Sequence, residues 1–169
     1  MKENFNAVLA LVVLSEGGYV NHSKDPGGMT NLGCTKAVWE EYVGHPVSEN
    51  DIRNLTPELV APLYKRKYWD KVVGDDLPSG LDYAVFDAAI NSGAGRAAKW
   101  LQEIVGVTAD GSIGKLTLAA VHTMDVQKLI AQYNDKRLQF LKGLPTFATF
   151  GKGWSRRVSE VQSAAAALA

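Results

Sequence analysis

A glutamate that ends an apolar helical run and opens directly into a glycine-rich stretch constrains this chain more than any other feature. Residues 3–15 contain no Gly or Pro and place apolar side chains at 5, 8, 9, 12 and 13, a helical spacing. Glu16-Gly17-Gly18-Tyr19 closes the run, and five glycines fall between 17 and 33. Glycine admits positive φ and close backbone approach, so the segment predicts tight turns or a small hairpin rather than more helix. Asp25 follows Glu16 nine positions later, just before Pro26. One carboxylate at a helix end and one in an open turn suit glycoside hydrolysis. There, one acid protonates the leaving oxygen and the other holds water or offsets positive charge. Partial burial favours the protonated form of Glu16, while an open loop keeps Asp25 ionised. The bland alternative is an ordinary helix-end acid and an ordinary turn residue, and spacing alone leaves both open.

The 169 residues suffice for one domain, and 46% hydrophobic content supplies a core at that length. Eighteen basic residues balance eighteen acidic ones, so no global positive field advertises nucleic acid. The balance is uneven along the chain. Residues 1–125 carry 11 Lys/Arg and 16 Asp/Glu, whereas residues 126–169 carry 7 and 2. That basic C-terminal quarter is either a solvated helix face or a weak contact for an anionic polymer or membrane surface. A lone cysteine, Cys34, excludes an internal disulfide, suits a reducing compartment and is expected to pack in the interior. The apolar run Ala7–Leu14 is too short to span a bilayer, and Glu3 spoils the charge pattern of a signal peptide. It reads as a buried helix, made without a cleavable leader. His22, His45 and His122 have no metal-ligand spacing, and no phosphate-binding glycine loop is present. No metal or cofactor is expected.

Beyond the glycine stretch the chain is helical. Thr35 is placed to cap a helix to about 43, Ser48 and Asp51 form a capping-box pattern, and Thr56-Pro57 opens a helix to about 70 with a kink expected at Pro62. Further helices are predicted over about 81–91, 95–105, 114–123, 126–142 and 153–168. The fold class is mainly α, with one small Gly-rich hairpin and a single two-lobed body.

Glu16-Gly17-Gly18-Tyr19 with Asp25-Pro26-Gly27-Gly28-x-Thr30-Asn31-x-Gly33 resembles the signature of glycoside hydrolase family 108, a lysozyme-like muramidase family of phage endolysins and bacterial muramidases. The resemblance continues through Tyr64–Asp70, Leu77-Pro78-x-Gly80 and Phe86-Asp87-x-Ala89-x-Asn91-Ser92-Gly93. Leu101-Gln102 and Asp110-Gly111-x-Ile113-Gly114 resemble the peptidoglycan-binding segment that follows in such proteins. The resemblance implies a lysozyme-like fold, with residues 1–92 as the muramidase region and residues 93–169 as a peptidoglycan-binding region packed on it. It implies Glu16 as general acid. Glu16 and Asp25 also match the E-x8-D-x5-T spacing of related phage lysozymes, but position 31 is Asn and Thr30 stands one residue early. Thr30 and Asn31 are both candidates for the third group, since either side chain can orient water.

Tyr64, Tyr68 and Trp69 interleave with Lys65, Arg66, Lys67 and Lys71. They are candidate sugar platforms, or else core aromatics among solvated cations. Tyr19 either lines the cleft or packs under the loop. Asn91 either reaches a substrate N-acetyl group or caps its helix.

The implied activity is cleavage of the β-1,4 bond between N-acetylmuramic acid and N-acetylglucosamine in bacterial peptidoglycan, by a monomer made in the cytoplasm and acting on the periplasmic wall. A phage endolysin leads; a muramidase serving protein export, a lytic transglycosylase and a non-catalytic wall-binding module are the alternatives.

Overall fold

The computed structural model describes residues 3–21 and 28–169. Asp25 lies outside them. The described residues form nine α-helices and one three-stranded antiparallel sheet, so the mainly α class with a small sheet holds. The chain divides into two units: Asn6–Lys65, and the residues up to Phe5 together with Arg66–Ala169.

In the smaller unit, α1 (Phe5–Glu16) buries Val8, Leu9, Val12 and Val13, as the helical spacing predicted. The glycine-rich stretch is a meander of β1 (Val20–Asn21), β2 (Met29–Asn31) and β3 (Cys34–Thr35). Val20 pairs with Thr30, and Asn31 pairs with Cys34, whose side chain is buried. Three capped helices follow: α2 (Lys36–Val43), α3 (Glu49–Arg53) and α4 (Pro57–Tyr64). Thr35 Oγ1 accepts from the Val38 amide at 3.2 Å, and Thr56 Oγ1 does the same for Leu59 at 3.2 Å. Ser48 and Asp51 close the reciprocal capping box. Each cap satisfies an amide that a helix start otherwise leaves without a partner.

The helix expected from Pro57 to about 70 keeps its α period only to Tyr64. It continues as a π turn (Lys65–Trp69) and a 3-10 turn (Asp70–Val72). Pro62 has no N–H to offer the preceding turn, and the change of period after it takes the place of a simple kink.

In the larger unit, α5 (Leu81–Ser92) is buried on all sides from Leu81 to Ala89 and packs against α6 (Ala94–Val105), α8 (Val126–Lys142) and α9 (Phe147–Leu168). A helix buried on every side is a central one. The short α7 (Lys115–His122) packs on α6. Helix α9 starts six residues earlier than the sequence suggested, passing through Gly151 and Gly153. Phe147 accounts for Gly151: its ring lies over that backbone, 2.7 Å from where a Cβ would sit.

At the centre of this unit Asp87 of α5, with no exposed surface, sits between two guanidinium groups. Arg137 Nη1 lies 2.7 Å from its Oδ2, and Arg157 Nη2 lies 2.7 Å from its Oδ1. Arg137 occupies a core position on the inner stripe of α8, while the neighbouring Leu138 is half-buried. Asp87→Asn would leave two arginines facing an uncharged amide in the interior. A loss of about 3 kcal/mol or more is expected, read as a lower urea midpoint; an unchanged midpoint would show that solvent already neutralises the pair.

Candidate active site

The site begins at the C-terminal end of α1. Glu16 is its last residue and is half-buried, with Oε1 shut away from solvent. The chain reverses twice before returning to it. Between β2 and β3 only Leu32 and Gly33 intervene, and both have positive φ, 52° and 75°. Positive φ at both central residues is the type I′ hairpin geometry, whose twist matches that of the flanking strands. At Leu32 this conformation costs about 1–2 kcal/mol, because a Cβ crowds the following carbonyl.

This turn rests on the side chain of Glu16. A Cβ built on Gly33 would lie 2.7 Å from Glu16 Cγ and 3.0 Å from Glu16 Cβ. It would also lie 2.8 Å from the Tyr64 hydroxyl. Tyr64, the last residue of α4 and 2% exposed, donates that hydroxyl to the Leu32 carbonyl at 2.7 Å. Glu16 and the Tyr64 hydroxyl therefore flank the same glycine, and Tyr64 ties down the strained turn that Glu16 leans on. Of its two sequence readings, Tyr64 takes the interior one: it holds the turn rather than offering a ring face to a sugar.

The other candidates take distinct places. Thr30 is half-buried in the middle of β2, between Val20 and Thr35 on the neighbouring strands. Successive strand residues face opposite ways, and Asn31 turns from Thr30's face into the interior. It is 6% exposed, and its Nδ2 donates to the carbonyls of Ile52 at 2.9 Å and Arg53 at 3.2 Å, closing the C-terminal end of α3. Tyr19 donates its hydroxyl to Glu49 Oε1 at 2.6 Å, and the Arg53 guanidinium lies 4.2 Å above its ring. Arg53 in turn reaches Glu49 from Nη2 at 2.8 Å and Nε at 3.2 Å. So Tyr19 packs against α3.

In the larger unit, Trp69 is wholly buried. Its Nε1 donates to Asp75 at 2.8 Å and its ring meets Phe5 and Phe86 edge-on, both at 5.3 Å. A sugar platform needs an open ring face, which Trp69 lacks. Tyr68 is half-buried with the Lys67 ammonium 5.9 Å from its ring. Asn91 is exposed and its Nδ2 donates to the Asp87 carbonyl at 2.8 Å, one turn back on α5.

A family model of glycosyl hydrolase 108 matches residues 9–93, half of the chain and the span that holds every candidate above. The chain belongs to glycosyl hydrolase family 108. A second model, described as a predicted peptidoglycan domain, matches residues 96–159. A solved structure of Brucella abortus SagA is 49% identical, with a TM-score of 0.88 over 99% of this chain and 97% of that chain. No curated protein sequence matches. A family 108 catalytic region joined to a peptidoglycan domain makes this chain a glycoside hydrolase acting on peptidoglycan.

Sequence reading missed the Tyr64 bond to the turn and the Glu49–Arg53 clamp on Tyr19. Asn-Leu-Gly lacks the Asn-Gly or Asp-Gly pair that usually marks an I′ turn, so the hairpin's register was hidden. The clamp carries a testable electrostatic consequence. The Tyr19 hydroxyl, then Arg53, hold the Glu49 carboxyl below its usual 4.5. Burial first, and then its bond to Glu49, raise the Tyr19 phenol. A carboxyl depressed in the folded state stabilises above its unfolded value and stops doing so as pH falls through the folded one. Wild type should therefore exceed Glu49→Gln in thermal midpoint at neutral pH, with the gap closing as pH drops below about 4.5. A gap independent of pH would remove the charge from the account.

Proposed function

We propose that this family 108 chain is a muramidase in which Glu16 is the general acid, cleaving the β-1,4 bond between N-acetylmuramic acid and N-acetylglucosamine. The observation that carries the reading is the seat of Glu16: a half-buried carboxyl at a helix end, its stem held against Gly33 by a turn that Tyr64 fixes. A general acid needs a set position and partial shelter from water, and this seat supplies both. Glu16 gives its proton to the glycosidic oxygen as that bond breaks. Asp25 holds the incoming water or offsets the positive charge on the sugar ring. Thr30 is the better third group, because the Asn31 amide is committed to the end of α3. Tyr64 and Tyr19 position the site, while residues 93–169 hold the wall strand.

The biological reading is a phage endolysin that acts on the periplasmic wall. A bacterial muramidase serving export would use the same chemistry. Digestion of purified peptidoglycan, with product ends identified by mass spectrometry, tests the enzymatic claim. Wild type should leave reducing muramic acid ends, and Glu16→Gln should lose at least about 100-fold in rate, the usual scale of general acid catalysis. Anhydromuramyl ends would make the chain a lytic transglycosylase. Full activity in the variant would take the acid's role from Glu16.

A further inference from the structure

A second site lies in the larger unit, away from every residue given a catalytic role above. A cavity of about 250 Å³ is lined by residues of α6, the loop that follows it and the start of α7. Gln102, 1% exposed, fixes that loop from inside. Its Nε2 donates to Asp110 Oδ1 at 2.8 Å, to the Ser112 carbonyl at 3.0 Å and to Thr117 Oγ1 at 3.3 Å. Its Oε1 accepts from the Gly111 amide at 2.9 Å. The Ser112 amide donates to the same Asp110 oxygen at 2.9 Å. Both bonds to the Asp110 carboxyl therefore end on Oδ1, which leaves Oδ2 of this exposed residue open. The Gln102 bond first, then the Ser112 amide, hold the carboxyl below its usual 3.8, with a smaller pull from Lys99, so it is charged at neutral pH. Lys115 lines the same cavity and is also exposed. Among the described residues, neither Asp110 nor Lys115 makes an ion pair, with the other or with any third group. A fixed anion and a free cation in one pocket suit a ligand that carries both signs. Val107 and Leu116 add apolar lining.

We propose that this cavity binds an amino-acid end, ammonium and carboxylate on one carbon, and that in peptidoglycan this is the free side-chain end of diaminopimelate in an uncrosslinked stem peptide. Asp110 Oδ2 accepts from the ligand's ammonium, Lys115 donates to its carboxylate, and the methylene chain lies along Val107 and Leu116. The volume is below the roughly 300 Å³ at which pockets enclose whole drug-sized ligands, so it takes one side chain rather than a disaccharide. The site lies within residues 96–159, the span matched by the predicted peptidoglycan domain. It makes that region a reader of wall type: a lysine stem ends in an ammonium alone and offers Lys115 nothing. The inference rests on peptidoglycan being the substrate.

The test titrates the full chain with L-alanyl-γ-D-glutamyl-meso-diaminopimelate and with its lysine analogue, following backbone amides by NMR. The diaminopimelate tripeptide should shift the Gly111, Ser112 and Leu116 amides saturably. The lysine tripeptide, which lacks only the side-chain carboxylate, should bind at least about tenfold more weakly, as expected when a charge-assisted contact is lost. Lys115→Gln should erase that preference, and Asp110→Asn should weaken both tripeptides by about tenfold or more. Asparagine keeps an oxygen for the Gln102 and Ser112 bonds, and Lys115 is exposed, so the loop survives both changes; unchanged amide signals elsewhere in the chain check this. Fragments of a diaminopimelate-type wall should displace the tripeptide, and fragments of a lysine-type wall should not. Displacement by free meso-diaminopimelate alone would make the ligand a free amino acid and overturn the assignment to the wall. Equal affinity for the two tripeptides, or no shift in the loop, would overturn the pocket itself. Neither tripeptide contains a glycosidic bond, so the muramidase assignment, read from product ends, can fail or stand separately.

Discussion

Glu16 stands where it does because residue 33 has no side chain. The turn between β2 and β3 comes to rest on the glutamate's aliphatic stem, and a single methyl at position 33 would collide with that stem and with the Tyr64 hydroxyl together. Glycine answers two demands there, the left-handed backbone and the absent Cβ. Leu32 meets only the first, at a conformational cost that its carbonyl's bond to Tyr64 partly offsets, a hydrogen bond contributing about 1 kcal/mol net. The end of a helix, a strained turn and the end of another helix thus converge on one carboxyl. Strain retained next to the proposed general acid suits a pre-organised site.

The same logic of fixed polar groups runs through the rest of both units. Asn31 and Tyr19, on either side of the glycine segment, are each spent on α3, so the sheet is moored to that short helix by the Asn31 amide and the Tyr19–Glu49–Arg53 clamp. In the larger unit the mooring is ionic: Asp87 ties α5 to α8 and α9 through Arg137 and Arg157. Buried charge of this kind adds little net stability over apolar packing, but it is strongly directional.

Much of this was legible in the chain because local physics dominates it. The apolar spacing of residues 5–13 gave α1 and its buried face, and Thr35, Ser48 and Thr56 each cap the helix they were placed to start. Glu16 could be singled out because a helix end and a glycine run meet there. What stayed hidden depends on contacts distant in sequence. Tyr64 and Trp69 look alike as aromatics among lysines, and only the fold sends one hydroxyl to Leu32 and the other ring to Phe5 and Phe86. The last helix was expected only from about 153, but it starts at Phe147, whose ring lies across Gly151. Arg137 did leave a signal, a cation on the apolar stripe of α8, but its partner Asp87 lies fifty residues away.

The most direct test of the account is the peptidoglycan hydrolysis rate of Gly33→Ala measured alongside its thermal midpoint. The account predicts a folded protein with a lower midpoint, since alanine at positive φ costs about 1–2 kcal/mol, and a far larger loss of rate than of folded protein, because Glu16 is pushed from its seat. A variant that folds and cleaves at the wild-type rate would show that the turn does not set the position of the acid, and would contradict the central claim.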